Sequence, residues 1–158
     1  MYSAVFLLAL NGPAIGVEAD QTSVRWHADY FAACGMGRAA DKPLAVFFGP
    51  GAEGWRKLAR EGGLSEDVIE LLRTQYVAVH VDTERKTGQA WAARFEVPDG
   101  VGLVISDRGG NLQAFHHAGN LAGADVAKYL RRYASSGHST VTTEGVERPA
   151  PAPRHAVC

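Results

Sequence analysis

This sequence of 158 residues has few cysteines, almost no net charge and no long apolar run. Its two cysteines are too few for a disulfide-rich scaffold or a four-thiolate zinc site. The 16 Lys and Arg residues nearly balance the 17 Asp and Glu residues, which argues against the basic face that a nucleic acid requires. No apolar run reaches the roughly 18 residues of a membrane-spanning helix. The sequence therefore predicts no nucleic-acid partner and no membrane span.

The overall composition of the chain is typical of a globular protein. Hydrophobic residues make up 46% of the chain and charged residues 21%, which is ordinary for one domain with a buried core. Residues 1–19 form a candidate signal peptide or apolar leader, with small residues at Val17 and Ala19, but no Lys or Arg precedes its apolar stretch. Cleavage near Ala19 predicts an exported protein, either periplasmic or extracellular, and retention of the leader predicts a cytoplasmic one.

The last segment, residues 135–158, is rich in Pro, Ser, Thr and Ala. Pro149, Pro151 and Pro153 alternate with small residues, a pattern that favours extended polyproline conformation and forbids a regular helix. We interpret this segment as a flexible tail. Its final residue, Cys158, is a candidate for a disulfide-linked dimer or for a bond to Cys34.

Between these ends, residues 24–134 show strands alternating with helices. The apolar run Leu44–Phe48 and the β-branched run Tyr76–Asp82 predict two parallel strands, because helical patterns separate them. Two further strands, Val101–Ser106 and Leu112–His116, flank a turn and predict an antiparallel hairpin. Helices are predicted from the apolar stripes over the remaining segments, which are Trp26–Ala40, Ala52–Glu61, a helix after Ser65, Thr83–Phe95 and Asp125–Tyr133.

This order resembles the thioredoxin-like fold. The resemblance is carried by the strand Leu44–Phe48 followed by a turn and Arg56-Lys57-Leu58, by Val79–Asp82, by Phe95-Glu96-Val97 and by Gly119 before the last helix. It implies an α/β three-layer sandwich, with a mixed sheet of four to five strands and helices on both faces.

The resemblance also implies where the redox residues of such a protein lie. The Cys-x-x-Cys positions fall on Ala52 and Trp55, the cis-proline position on Val101, and the buried carboxylate position on Val46. All four residues depart from the pattern. Because thiol–disulfide exchange requires a thiolate, the resemblance implies this fold without that activity.

Our leading hypothesis is a non-catalytic protein that binds a protein or peptide partner and needs no cofactor. The predicted binding surface is the rim formed by Gly49–Trp55 and Pro98–Val101, where active relatives hold a peptide segment. Its candidate residues are Gly51, Glu53, Trp55, Arg56, Pro98, Asp99, Gly100 and Val101.

Two other interpretations remain open. Cys34 or Cys158 could carry redox chemistry. The G-x-G-x-x-G pattern of Gly49–Gly54, with Asp82 at the end of the next strand, is found in nucleotide-binding enzymes. A metal site would need three or four ligands to converge. We predict none, because the adjacent residues His116 and His117 point to opposite faces of a strand.

Overall fold

A computed structural model describes residues 23–108, 110 and 112–134 of the chain. The candidate leader, residues 1–19, and the tail, residues 135–158, lie outside the described residues, so the predictions made for them stay predictions. Among the helices of the described part, none is long and apolar enough to cross a membrane.

A mixed sheet of four strands forms the centre of the molecule. The strands are β1 (Leu44–Gly49), β2 (Val77–Asp82), β3 (Gly102–Ser106) and β4 (Gln113–Ala118), and their spatial order is β2-β1-β3-β4. β1 pairs with β2 in parallel, whereas β3 is antiparallel to both β1 and β4. The predicted parallel pair and the predicted hairpin are both confirmed.

Four α-helices cover the two faces of this sheet: α1 (Tyr30–Ala40), α2 (Glu66–Gln75), α3 (Lys86–Arg94) and α4 (Gly123–Ala134). α2 and α4 pack with Phe47 and Ala45 of β1 on one face. α1 and α3 pack with Val46 and Phe48 on the other. Alternate residues of β1 therefore point into separate cores, which explains its unbroken apolar sequence. The α/β sandwich with helices on both faces is confirmed.

Capping residues explain where two of these helices begin. The Asp29 carboxylate accepts a hydrogen bond from the Ala32 amide at 3.0 Å, so α1 begins at Tyr30. The Ser65 hydroxyl accepts from the Val68 amide at 3.4 Å and begins α2, as the sequence predicted. The predicted helical start at Trp26 is wrong. Residues 23–29 are not helical, and His27 forms a parallel bridge with Val79 at the edge of β2.

The predicted helix over Ala52–Glu61 is also wrong, since only a short 3-10 helix, Gly54–Lys57, forms there. Gly51 has a φ of 80°, which does not continue a helix. Further along, the Leu121 amide donates to the Leu58 carbonyl at 2.8 Å, and the Arg60 amide donates to the Leu121 carbonyl at 2.9 Å. This pairing with a distant segment holds residues 58–60 out of a helix.

Candidate binding groove

The loop after β1 is packed on its own backbone. A Cβ atom added to Gly49 would lie 2.1 Å from the Gly54 carbonyl oxygen, and one added to Gly54 would lie 2.2 Å from the Gly49 carbonyl carbon. The Gly54 amide also donates to the Gly51 carbonyl at 3.1 Å. The spacing of glycines in Gly49–Gly54 is therefore accounted for by the close contact of two backbone segments.

Asp82, at the end of β2, fixes this loop from the neighbouring strand. Its Oδ1 atom accepts hydrogen bonds from the amides of Gly51 at 2.8 Å and Glu84 at 3.0 Å. Its Oδ2 atom lies 3.3 Å from Nε of Arg85. The hydrogen bonds from Glu84 and Gly51, together with the positive charge of Arg85, lower the pKa of the Asp82 carboxyl. A carboxylate thus occupies the position beside the Gly51 amide that a nucleotide phosphate would need.

A second turn lies at the same end of the sheet. Gly100 has a φ of 67°, and its carbonyl accepts a hydrogen bond from the Thr83 hydroxyl at 2.9 Å. Phe48 pairs with Gly102, so Gly49 and Val101 lie next to one another just beyond this pair. Pro98 and Asp99 are exposed. No peptide bond in the described residues is cis, and the bond before Val101 is therefore trans.

The residues that the resemblance assigns to the four redox positions lie in different environments. Ala52 is exposed, Trp55 and Val101 are half-buried, and Val46 is fully buried between the sheet and the helices. Trp55 stacks on Trp26 with ring centroids 5.1 Å apart. Both Trp55 and Val101 pack against the core of Phe47. The half-buried Trp55 ring therefore fills space at the edge of this core.

The outer side of Trp55 is polar. The Arg56 guanidinium lies 4.9 Å from the centre of the Trp55 ring and forms an ion pair with Glu53 at 3.1 Å. Glu53 and Arg56 are exposed, so this corner of the predicted binding surface presents one charge of each sign.

His80 lies beneath the stacked tryptophans. Its ring centroid is 6.3 Å from that of Trp26, in an edge-on arrangement. Burial lowers the pKa of His80, and a hydrogen bond with the Gly49 backbone and the charge of Asp82 oppose this effect. Its Nε2 atom is buried and has no hydrogen-bond partner in the described part of the chain. His80 is therefore a mostly neutral ring at neutral pH, held against an aromatic cluster.

A groove of about 620 Å³ opens beside this cluster, between residues 26–31 and the start of α3. Its walls include the aromatic side chains of Trp26, Tyr30, Phe31 and Trp91, together with Arg85 and Ala52. Phe31 is 69% exposed, and its ring lies 5.5 Å from that of Trp91 in an edge-on arrangement. Of the predicted rim, Ala52 lines this groove. The assignment of the rim itself as a binding surface stays a prediction.

Sequence reasoning did not place Trp26, Phe31 and Trp91 beside a groove. Trp26 had been placed in a helix, whereas its segment lies along the edge of β2, where the His27 amide donates to the Ala78 carbonyl at 2.9 Å. Phe31 and Trp91 come from two different helices. Phe31 is the second residue of α1 and lies outside the buried stripe of this helix, which begins at Tyr30. That position was the available signal for an exposed aromatic residue.

Cys34 lies on the buried side of α1, only 3% exposed, and it is disulfide-bonded. It is the sole cysteine among the residues that the structure describes, and Cys158 lies outside them. His116 and His117 lie on β4, and Nε2 of His116 is 3.2 Å from the Glu96 carbonyl oxygen. Across residues 23–134, apart from the two undescribed positions in the hairpin, no group of three or more His, Cys, Asp or Glu side chains is arranged to hold a metal ion.

Comparison with solved structures identifies the fold. A thioredoxin from Thermus thermophilus superposes with a TM-score of 0.60 and 23% sequence identity, over 73% of this chain and 91% of the thioredoxin. A DsbH oxidoreductase superposes with a TM-score of 0.51 and 17% identity, over 75% of this chain and 91% of that protein. No family model and no curated protein matches the sequence. The chain therefore has a thioredoxin-like fold, as its sequence predicted.

Proposed function

We propose that this chain is a non-catalytic binding protein on a thioredoxin-like scaffold. The observation that carries the proposal is the loop after β1, where Ala52 and Trp55 occupy the positions at which the resemblance requires cysteines. A methyl group and an indole cannot form the thiolate that attacks a disulfide.

The local backbone supports the same conclusion. An exchange centre uses the N-terminus of a helix to lower the pKa of its thiol. Here the loop leads into the four-residue helix Gly54–Lys57, which is too short to supply much of a dipole. The one described cysteine, Cys34, lies within α1 and is almost completely buried.

An insulin-reduction assay with dithiothreitol tests the absence of this activity. We expect the protein to precipitate insulin no faster than dithiothreitol alone, and no faster than a Cys34→Ser, Cys158→Ser variant. A thioredoxin serves as the positive control. Turnover of the unmodified chain well above that of the double variant would show that its own thiols perform the exchange and would refute the proposal.

The groove of Trp26, Phe31 and Trp91 supports a peptide or protein as the ligand. These aromatic rings provide a large apolar contact area at small entropic cost. Arg85, which is paired with Asp82 and largely exposed, lies among its lining residues and provides hydrogen-bond donors for a peptide backbone. An extended segment with an apolar side chain fits this combination better than a small charged metabolite.

Selection from a displayed random-peptide library tests the groove directly. We expect enriched peptides to bind Phe31→Ala at least about tenfold more weakly than the unmodified protein, since anchoring aromatic residues dominate such interfaces. Leu112→Ala is the matched control, because Leu112 is also an exposed apolar residue, at 48%, but lies outside the groove. Equal binding by all three proteins would exclude the groove as the site.

A nucleotide site at Gly49–Gly54 is the weaker alternative. The Gly51 amide already donates to Asp82, and the negative charge of that carboxylate opposes a phosphate. We expect no saturable change in tryptophan fluorescence when NAD(H) or ATP is added, although Trp55 lies directly after the loop. A saturable signal would favour this alternative.

A further inference from the structure

The strand β2 has one edge that β1 does not cover. The Thr83 amide, directly after β2, donates to the Gly49 carbonyl on the β1 side at 3.1 Å. Alternate residues of a strand direct their backbone N–H and C=O groups to opposite sides. Ala78, His80 and Asp82 therefore direct their backbone groups to the outer edge of the sheet.

A short segment around His27 covers the first part of this outer edge and then leaves it. The His27 amide donates to the Ala78 carbonyl at 2.9 Å, and the His80 amide donates to the His27 carbonyl at 2.9 Å. Two residues later the chain turns into α1, because Asp29 is the N-cap of that helix. The next two groups of the edge, the His80 carbonyl and the Asp82 amide, have no hydrogen-bond partner within the described part of the chain.

These two groups lie beside the candidate groove, since His80, Val81 and Asp82 all line it. The carbonyl oxygen carries a partial negative charge and the amide hydrogen a partial positive one. A single residue of an extended peptide offers the complementary pair, because its own N–H and C=O lie on the same edge of its backbone. Unpaired groups on a strand edge are a ready template for another extended chain.

The pairing can run in only one direction. An antiparallel partner requires both the N–H and the C=O of one residue of β2. The His80 amide is already bonded to His27, and the Asp82 carbonyl accepts from the Arg85 amide at 3.2 Å. A parallel partner requires the C=O of one residue and the N–H of the residue two positions later, which are the two groups that the edge offers.

We propose that the groove binds an extended peptide as a parallel strand added to the end of β2. The N–H of one peptide residue donates to the His80 carbonyl, and the C=O of the same residue accepts from the Asp82 amide. This residue lies opposite Val81, as His27 lies opposite Val79. The proposal rests on the proposed function, since it specifies how the groove holds its peptide through main-chain hydrogen bonds.

The register also predicts which side chain the peptide carries at the paired position. Paired residues of neighbouring strands place their side chains on the same face of the sheet. Val81 packs with Tyr30 in the core under α1 and α3, and Trp91 packs against that core. The Phe31 ring lies 5.5 Å from the Trp91 ring. An apolar side chain is therefore expected at the paired position, where it meets these aromatic rings.

A scan of N-methylated peptides tests the pairing from the side of the ligand. The probe is a peptide selected from a displayed random library with the full chain, and its binding must be weakened by Phe31→Ala. We expect one position at which N-methylation weakens binding at least about tenfold, because the His80 carbonyl then stays unpaired. N-methylation of the residue before or after it should change binding little, since those N–H groups point away from β2. Tolerance of N-methylation at every position would overturn the proposal.

Amide hydrogen exchange, followed by NMR on the ¹⁵N-labelled full chain, tests it from the side of the protein. We expect saturating peptide to slow exchange of the Asp82 amide at least about tenfold. The Thr83 amide is the matched control, because it is the next residue and already donates to Gly49, so its exchange should change much less. An Asp82 amide that exchanges equally fast with and without the peptide would refute the added strand.

The direction of the strand is measured with a nitroxide label at either end of the same peptide. A parallel strand runs toward the start of α3, where Thr87 lines the groove. We expect the C-terminal label to broaden the Thr87 amide signal more than the N-terminal label does. The reverse order would show an antiparallel peptide and would overturn the proposal.

Failure of this pairing can be told apart from failure of the proposed function. Selection that yields no peptide dependent on Phe31 would refute the groove as a binding site, and the added strand with it. A peptide that depends on Phe31, but tolerates N-methylation throughout and leaves the Asp82 amide unprotected, would retain the groove and refute the added strand alone.

Discussion

At the scale of single residues, Asp82 shows how far the sequence could be interpreted. Its place after a β-branched strand was predictable, and so was its nearness to the loop Gly49–Gly54. Its role was not predictable, because a carboxylate at that position can accept a hydrogen bond either from a ribose hydroxyl or from a backbone amide. The structure shows the second arrangement, in which Asp82 accepts from Gly51 and Glu84 and pairs with Arg85.

The lowered pKa of Asp82 predicts how stability depends on pH. Because the carboxyl has a lower pKa in the folded chain than its ordinary value of about 3.9, its ionised form stabilises the fold. That contribution is complete above the ordinary value and is lost as the pH falls through the folded-state pKa. We expect Asp82→Asn to be less stable than the unmodified chain from pH 5 to 7, and this difference to shrink steadily below about pH 4.

Urea denaturation at a series of pH values, followed by tryptophan fluorescence, measures this difference. Asp99→Asn is the control, because Asp99 is an exposed carboxylate on the neighbouring turn and its replacement should leave the unfolding midpoint nearly unchanged. A difference between Asp82→Asn and the unmodified chain that stays constant down to pH 2 would show that the charge of Asp82 is not what holds the loop.

At the scale of secondary-structure elements, prediction succeeded where local signals suffice. The strand at Leu44–Gly49 is an apolar run, and α2 begins at a Ser65 cap followed by two acidic residues. Prediction failed where contacts with distant parts of the chain determine the local structure. The segment Ala52–Glu61 has a helical apolar pattern, but the pairing of its end with Leu121 prevents the helix. A single sequence carries no local signal for such a pairing.

Substitution by alanine should have opposite effects on stability at two helical glycines, Gly35 in α1 and Gly88 in α3. A Cβ atom at Gly88 would lie 1.9 Å from the Asp82 carbonyl oxygen, whereas one at Gly35 meets nothing within 4 Å. We expect Gly88→Ala to reduce the free energy of unfolding by about 2 kcal/mol or more, since backbone atoms must move. Gly35→Ala should increase it by about 0.5–1 kcal/mol, because alanine lowers the entropy of the unfolded chain.

Chemical denaturation followed by far-ultraviolet circular dichroism compares the two variants under one set of conditions. Each serves as the other's control, since the same methyl group is added inside a helix in both. Similar free energies of unfolding for the two variants would mean that α3 does not approach the end of β2 as closely as the structure shows.

At the scale of the whole molecule, the candidate groove arises from the assembly of separate elements. The segment of Trp26 lies on the edge of β2, Phe31 projects from α1, and Trp91 projects from α3. The sequence predicted the sheet that organises them. It could not predict the groove, because the three rings meet only after the helices have packed on the sheet.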